Sequence, residues 1–247
     1  MKKLFDREPV WFAVLWIGIY VVLFSAADAL SEHIGIPKLI TAAAGAAMSV
    51  CLYGFIRRHG LSRDMGLCRW QKPWRQYLYF APIIAVAGVN LWNGAALHVP
   101  AWETVWFVVS MCFVGFLEEI IFRGLLFSAM AKSSVKWAFI VASVTFGMGH
   151  IVNLLSGAPL VGTLLQLVYA AAMGFCYTAV FYVSGSLVPC ILSHAVTNAL
   201  SVFAVPASGR ADVITAAVLT LAGLGYGWWL LRTMGPVHGN AQERKNA

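Results

Sequence analysis

Charge is scarce in this chain. Asp, Glu, Lys and Arg make up 11% of its 247 residues, while hydrophobic residues make up 60%. A soluble domain carries about a quarter charged and about half apolar residues. A soluble globular protein and a disordered chain are therefore both excluded. Cysteine is sparse too: the five thiols (Cys51, Cys68, Cys112, Cys176, Cys190) are odd in number, form no CxxC pair and mostly sit inside apolar runs. They act as small apolar fillers, not as a disulfide framework or a metal set. Neither HExxH nor GxSxG occurs.

Long apolar sequence is what the chain has in plenty. Eight blocks can be drawn, at about 10–30, 37–56, 77–99, 104–127, 136–155, 160–184, 186–204 and 212–232. Each approaches the length needed to cross about 30 Å of hydrocarbon. Lipid leaves backbone polar groups unsatisfied, and no β-barrel alternation is present, so the blocks are helices. The expected fold is all-α: a polytopic transmembrane helix bundle of about eight spans. Residues 1–247 form a single integral-membrane domain, with a motif-bearing core at about 104–204. The first block is long and lacks a clear small-residue cleavage site, which fits a retained signal anchor. The split between blocks six and seven rests only on Ser184-Gly185-Ser186, and block three is softened by Asn90, Asn93 and His98.

The net charge of +7 does not imply nucleic acid, because the basic residues cluster between apolar blocks. With a cytoplasmic amino terminus, fourteen Lys and Arg side chains fall inside and only Lys38 and Arg210 outside, with Arg123 inside the membrane. That asymmetry follows the positive-inside rule and puts both termini in the cytoplasm, with a bacterial inner membrane the expected location. The loop Arg57–Gln76 carries Trp70 and Trp74 among basic residues. It reads as a positive-inside loop with interfacial tryptophans, or as an amphipathic stretch on an anionic leaflet.

Ionisable residues within a span cost roughly 2.5–3.5 kcal/mol each, so they need a reason. Block four holds Glu118, Glu119 and Arg123. On a helix Glu119 and Arg123 share a face, four apart in the favoured acid-before-base order. Glu118 points about 100° away, with no partner on its own helix. Block five carries Phe146-Gly147-Met148-Gly149-His150 and then Asn153; the glycines permit close approach of a helix or a substrate backbone. Block seven carries His194 and Asn198, four apart and facing one way. Side by side in a dry interior, they could donate to one oxygen, as an oxyanion site requires. Each group alone could simply pin helices together. Gathered, an acid, a base and hydrogen-bond donors are what hydrolysis needs. By helix rise, Glu118 lies mid-membrane, His194 nearer the inside and His150 nearer the outside.

The ordered set Glu118-Glu119-x-x-x-Arg123, Phe146-x-x-x-His150 and His194-x-x-x-Asn198 resembles the signature of the CAAX-protease and bacteriocin-processing family. These are intramembrane glutamic endopeptidases similar to type II CAAX prenyl protease. The resemblance implies hydrolysis of a peptide bond in a membrane-associated protein or peptide, with no cofactor and no metal. It gives Glu118 the role of base on the water, helped by His150, and makes His194 and Asn198 the oxyanion donors. Glu119 with Arg123 becomes the orienting pair, and Phe146 supports. The residues alone do not say which glutamate is the base. Two other readings stand beside it. One is a zinc-dependent membrane protease, although the histidines lie on separate helices. The other is a transporter or immunity-type protein using the cluster for binding, although no inverted repeat is evident.

Overall fold

A computed structural model describes residues 1–67, 78, 80–205 and 209–235. The tryptophans of the 57–76 loop, Cys68 and the basic residues at 69, 72, 75, 244 and 245 lie outside the described residues. The described chain is a helical bundle without a strand. After a short α1 (Lys2–Arg7), the α-helices are α2 (Pro9–His33), α3 (Leu39–Arg58), α4 (Ala81–Ala87), α5 (Ala101–Glu119), α6 (Ser128–Ala131), α7 (Val135–Met148), α8 (Leu160–Ser184), α9 (Val188–Leu200) and α10 (Arg210–Thr233). A π-helical turn, Ile120–Phe127, joins α5 to α6. A 3-10 segment, Gly149–Ser156, extends α7.

The sequence places the boundaries. Pro9, whose missing N–H costs nothing in a first turn, starts α2. Ser134 caps α7 by accepting from the Trp137 amide. The weak boundary between blocks six and seven is real: Gly185 takes φ 68°, a left-handed geometry that ends α8 at no steric cost.

Every apolar block becomes helix, but two are shorter than drawn. Among the described residues, six helical stretches are long and apolar enough to cross a membrane, whereas Ala81–Leu91 and Val188–Phe203 are shorter. Block three stops early because Gly88, Asn90, Asn93 and Gly94 interrupt it, and Asn90 spends its amide on the Thr197 carbonyl of α9. Both short helices run the same way. They are tied at one end where the Ala96 amide bonds Phe203 and the Val205 amide bonds Gly94.

Close contacts fix the remaining directions. Phe12 stacks on Phe55 at 5.2 Å, so the start of α2 meets the end of α3. Gly115 lies against Ala195, while Gly124 lies near Leu187, so α5 and α9 are antiparallel. Gly147 meets Leu167 and Ala171, making α7 and α8 antiparallel, whereas Gly223 and Gly227 meet Ala172 and Cys176, making α8 and α10 parallel. The chain thus traverses the bundle in alternating directions. The core is apolar, with Phe12, Leu52, Ile56, Leu117, Ile120, Phe127 and Phe181 sealed inside. The outer surface is equally apolar, as at Val22, Val50 and Leu221, which is the surface a bilayer requires.

Candidate active site

The site is built from its buried base upward. Glu119, at the end of α5, and Arg123, one turn later, have no exposed side-chain surface, and their Nη1–Oε1 distance is 3.0 Å. The expected (i, i+4) pair therefore forms. Arg123 also donates from Nη2 to the Gly174 carbonyl of α8 at 3.0 Å. Its guanidinium lies 4.2 Å from the centre of the Phe146 ring, a cation–π contact strengthened by the dry surroundings. One side chain thus ties α5, α7 and α8 together, and Phe146 of α7 is part of the support.

His194 approaches from α9. Its Nδ1 lies 2.9 Å from Glu119 Oε1 and its Nε2 lies 3.7 Å from Glu118 Oε2. A carboxylate only accepts, so Nδ1 carries the proton in that bond. The imidazole is gripped between Phe146, at 5.5 Å edge-on, and Tyr177, at 5.8 Å stacked. The close approach depends on Gly115: a Cβ there would stand 2.7 Å from the Ala195 backbone nitrogen. Ser193, the neighbour of His194, points elsewhere. Its hydroxyl donates to the Ile83 carbonyl of α4 at 2.8 Å and meets the Tyr177 hydroxyl at 3.1 Å. Contact with Glu119 also corrects the estimated depth of His194, which lies level with the two glutamates and not nearer the inside. The helices cross at residues that a simple rise count cannot align.

Above this base lies a cavity of about 670 Å³ whose wall includes Tyr20, Glu118, Phe146, His150, His194 and Asn198. The four residues expected to do chemistry therefore share one space, while Glu119 and Arg123 are sealed behind it. His150 sits in the 3-10 segment after α7, its Nδ1 3.3 Å from the carbonyls of Phe146 and Gly147. Those acceptors place the ring proton on Nδ1 and leave Nε2 with a lone pair. Asn198 lines the same cavity, one turn beyond His194. Gly147 packs on the α8 backbone, whereas Gly149 faces open space. Further out, Asn153 donates to Gln166 at 2.9 Å, and Lys38 pairs with Asp28 at 2.8 Å.

Sequence reasoning missed the tyrosines. Tyr20 of α2 donates to Glu118 Oε1 at 2.6 Å, and Tyr177 of α8 supports both His194 and Ser193. Both lie within apolar runs, where a tyrosine carries no local sign of its partner. Among the described residues, no group of three His, Cys, Asp or Glu side chains is placed to hold a metal ion.

Comparison with known proteins supports the motif reading. No curated protein and no solved structure matches this chain. Residues 100–200 match a family model described as Rce1-like, type II CAAX prenyl endopeptidase. That segment runs from the start of α5 to the end of α9 and contains all three motifs. Residues 100–200 of this integral membrane protein are thus similar to the type II CAAX prenyl endopeptidases of the Rce1-like family model.

Proposed function

We propose that this protein is a glutamic intramembrane endopeptidase in which Glu118 activates the water. The observation that carries the reading is the division of labour between adjacent carboxylates. Glu118 opens on the cavity, while Glu119 is fully buried and shared by Arg123 and His194. A base must reach the proton it abstracts, and of the two carboxylates Glu118 is the one in the cavity wall.

The chemistry follows from the groups at hand. Water in the cavity donates one O–H to His150 Nε2 and the other to Glu118, and gives the latter proton to Glu118 as its oxygen bonds the scissile carbonyl carbon. The C=O pair moves onto oxygen. Asn198 Nδ2–H donates to this oxyanion, joined by His194 Nε2–H in the doubly protonated form of that ring. Glu119 holds His194 at Nδ1 and fixes which nitrogen faces the cavity. As the intermediate collapses, Glu118 returns the proton to the leaving nitrogen, the C–N bond breaks, and a carboxylic acid and an amine form, the acid then passing its proton to the amine to give carboxylate and ammonium. Fixed donors in this cavity supply the stabilisation that water would supply with less order.

The substrate is proposed to be a membrane-associated protein or peptide, entering from the bilayer. The name of the matching family makes a prenylated CAAX tail the first candidate. The test uses full-length protein in nanodiscs with internally quenched peptides ending in a CAAX sequence, farnesylated or not. Cleavage by wild type and its loss in Glu118→Gln, with melting temperature unchanged, is the expected result. Full activity in Glu118→Gln, beside an inactive but stable Glu119→Gln, would reverse the roles of the two glutamates.

A further inference from the structure

Glu118 is held from a helix that carries none of the motifs. We infer that Tyr20 of α2 is a positioning residue for Glu118, fixing which carboxylate oxygen is free to act as the base; this rests on the reading of Glu118 given above. The Tyr20 hydroxyl donates to Glu118 Oε1 at 2.6 Å, within the range of a charge-assisted O–H···O⁻ bond. The other oxygen, Oε2, faces His194 Nε2. Tyr20 and Glu118 both line the cavity, so the bond lies at the reacting wall.

The consequence is chemical. A carboxylate on a flexible side chain can present either oxygen and turn about its last torsion. With Oε1 occupied by a donor, a proton taken from water is directed to Oε2, on the side of His194. Oε1, still accepting from Tyr20, becomes the carbonyl oxygen of the neutral acid. The proton is then placed on the oxygen nearest the oxyanion donors, ready for return to the leaving nitrogen. Glu118 has no other hydrogen bond among the described residues, its distance to His194 being beyond direct bonding. Tyr20 is itself fixed, its ring 4.5 Å from that of Phe24.

Tyr20→Phe removes the hydroxyl and keeps the ring and its packing. In nanodiscs, with the quenched peptides, kcat should fall roughly ten- to hundredfold, the loss expected for one hydrogen bond to a charged group. KM should stay within about twofold and the melting temperature within about 2 °C. Infrared difference spectra add a readout that needs no turnover: the carboxylate band that Glu118→Gln abolishes should move in Tyr20→Phe. Unchanged kcat, a rise confined to KM, or a fall in melting temperature matching the loss of rate would each overturn the inference. If wild type cleaves no peptide, the endopeptidase reading fails separately. The infrared band then decides whether Tyr20 orients Glu118, and an unmoved band overturns it.

Discussion

Removing Arg123 should weaken the fold and the site together. The guanidinium is fully buried and contacts Glu119 at 3.0 Å, the Gly174 carbonyl at 3.0 Å, the Phe146 ring at 4.2 Å and the Tyr177 ring at 5.7 Å. Breaking a buried pair by deleting one partner costs about 3–5 kcal/mol, because a charge is left without compensation. Two features temper this. His194 Nδ1 remains on Glu119, and the Gly174 carbonyl still accepts from the Thr178 hydroxyl at 2.8 Å. Loss of the cation–π contact, worth up to about 2 kcal/mol when desolvated, pulls the other way. A net of about 4 kcal/mol is therefore expected for Arg123→Ala. At about 2–4 °C per kcal/mol for a chain of this size, the melting temperature in detergent should fall by about 8–16 °C. Cleavage should fall with it, since Phe146 and His194 lose their support. The pair is not ideally satisfied, for Glu119 Oε2 and Arg123 Nε have no hydrogen-bond partner among the described residues. Glu119→Gln combined with Arg123→Met should thus recover about half the lost stability, because a neutral pair of similar volume removes the stranded charge. A melting temperature for Arg123→Ala within 2 °C of wild type would refute the reasoning.

Three further outcomes are expected. Chelation of metal-stripped, solubilised protein should leave peptide cleavage intact; loss that zinc restores and magnesium does not would mean a metal activates the water. Reporter fusions at Gly60 and Ser133 should read cytoplasmic and those at Gly35 and Gly157 external, and a reversed pattern would overturn the orientation taken from Lys and Arg. Gly115→Val should abolish cleavage and lower the melting temperature, because even its Cβ would stand 2.7 Å from the Ala195 nitrogen of α9; wild-type activity in that variant would mean that α5 and α9 part without disturbing His194.

The bundle was legible because a bilayer leaves so few options. Scarce charge, eight apolar blocks and the Gly185 break all survive as helices and boundaries. The Glu119–Arg123 pair was legible because both partners lie on one stretch of helix, where spacing alone decides the contact. Tyr20 was not, since its partner is 98 residues away and the contact depends on how α2 leans on α5. The π-helical turn was hidden for a different reason. Residues 120–127 are apolar and all buried, so hydrophobic pattern cannot distinguish five residues per hydrogen-bonded ring from four. The shortness of α4 was half visible, in the asparagines and glycines of block three.

These irregularities share a location, and that is the physical core of the fold. The cavity wall takes Val89 and Asn90 from the turn that ends α4, Phe122 from the π turn, Gly149 and His150 from the 3-10 segment after α7, and Ser201 from the turn after α9. Regular helix satisfies its own backbone and offers lipid a dry surface. Irregular backbone at membrane depth is tolerable only where protein or a water-filled space can meet its polar groups. A hydrolase working within a bilayer has the same need, a wet pocket closed to lipid. Breaking four helices around one pocket keeps the irregular backbone at the cavity, while α2, α3, α8 and α10 remain long and apolar. Arg123, His194 and Tyr20 tie the broken helices to the unbroken ones beside this pocket, through Gly174 and Tyr177 of α8 and through α2 itself.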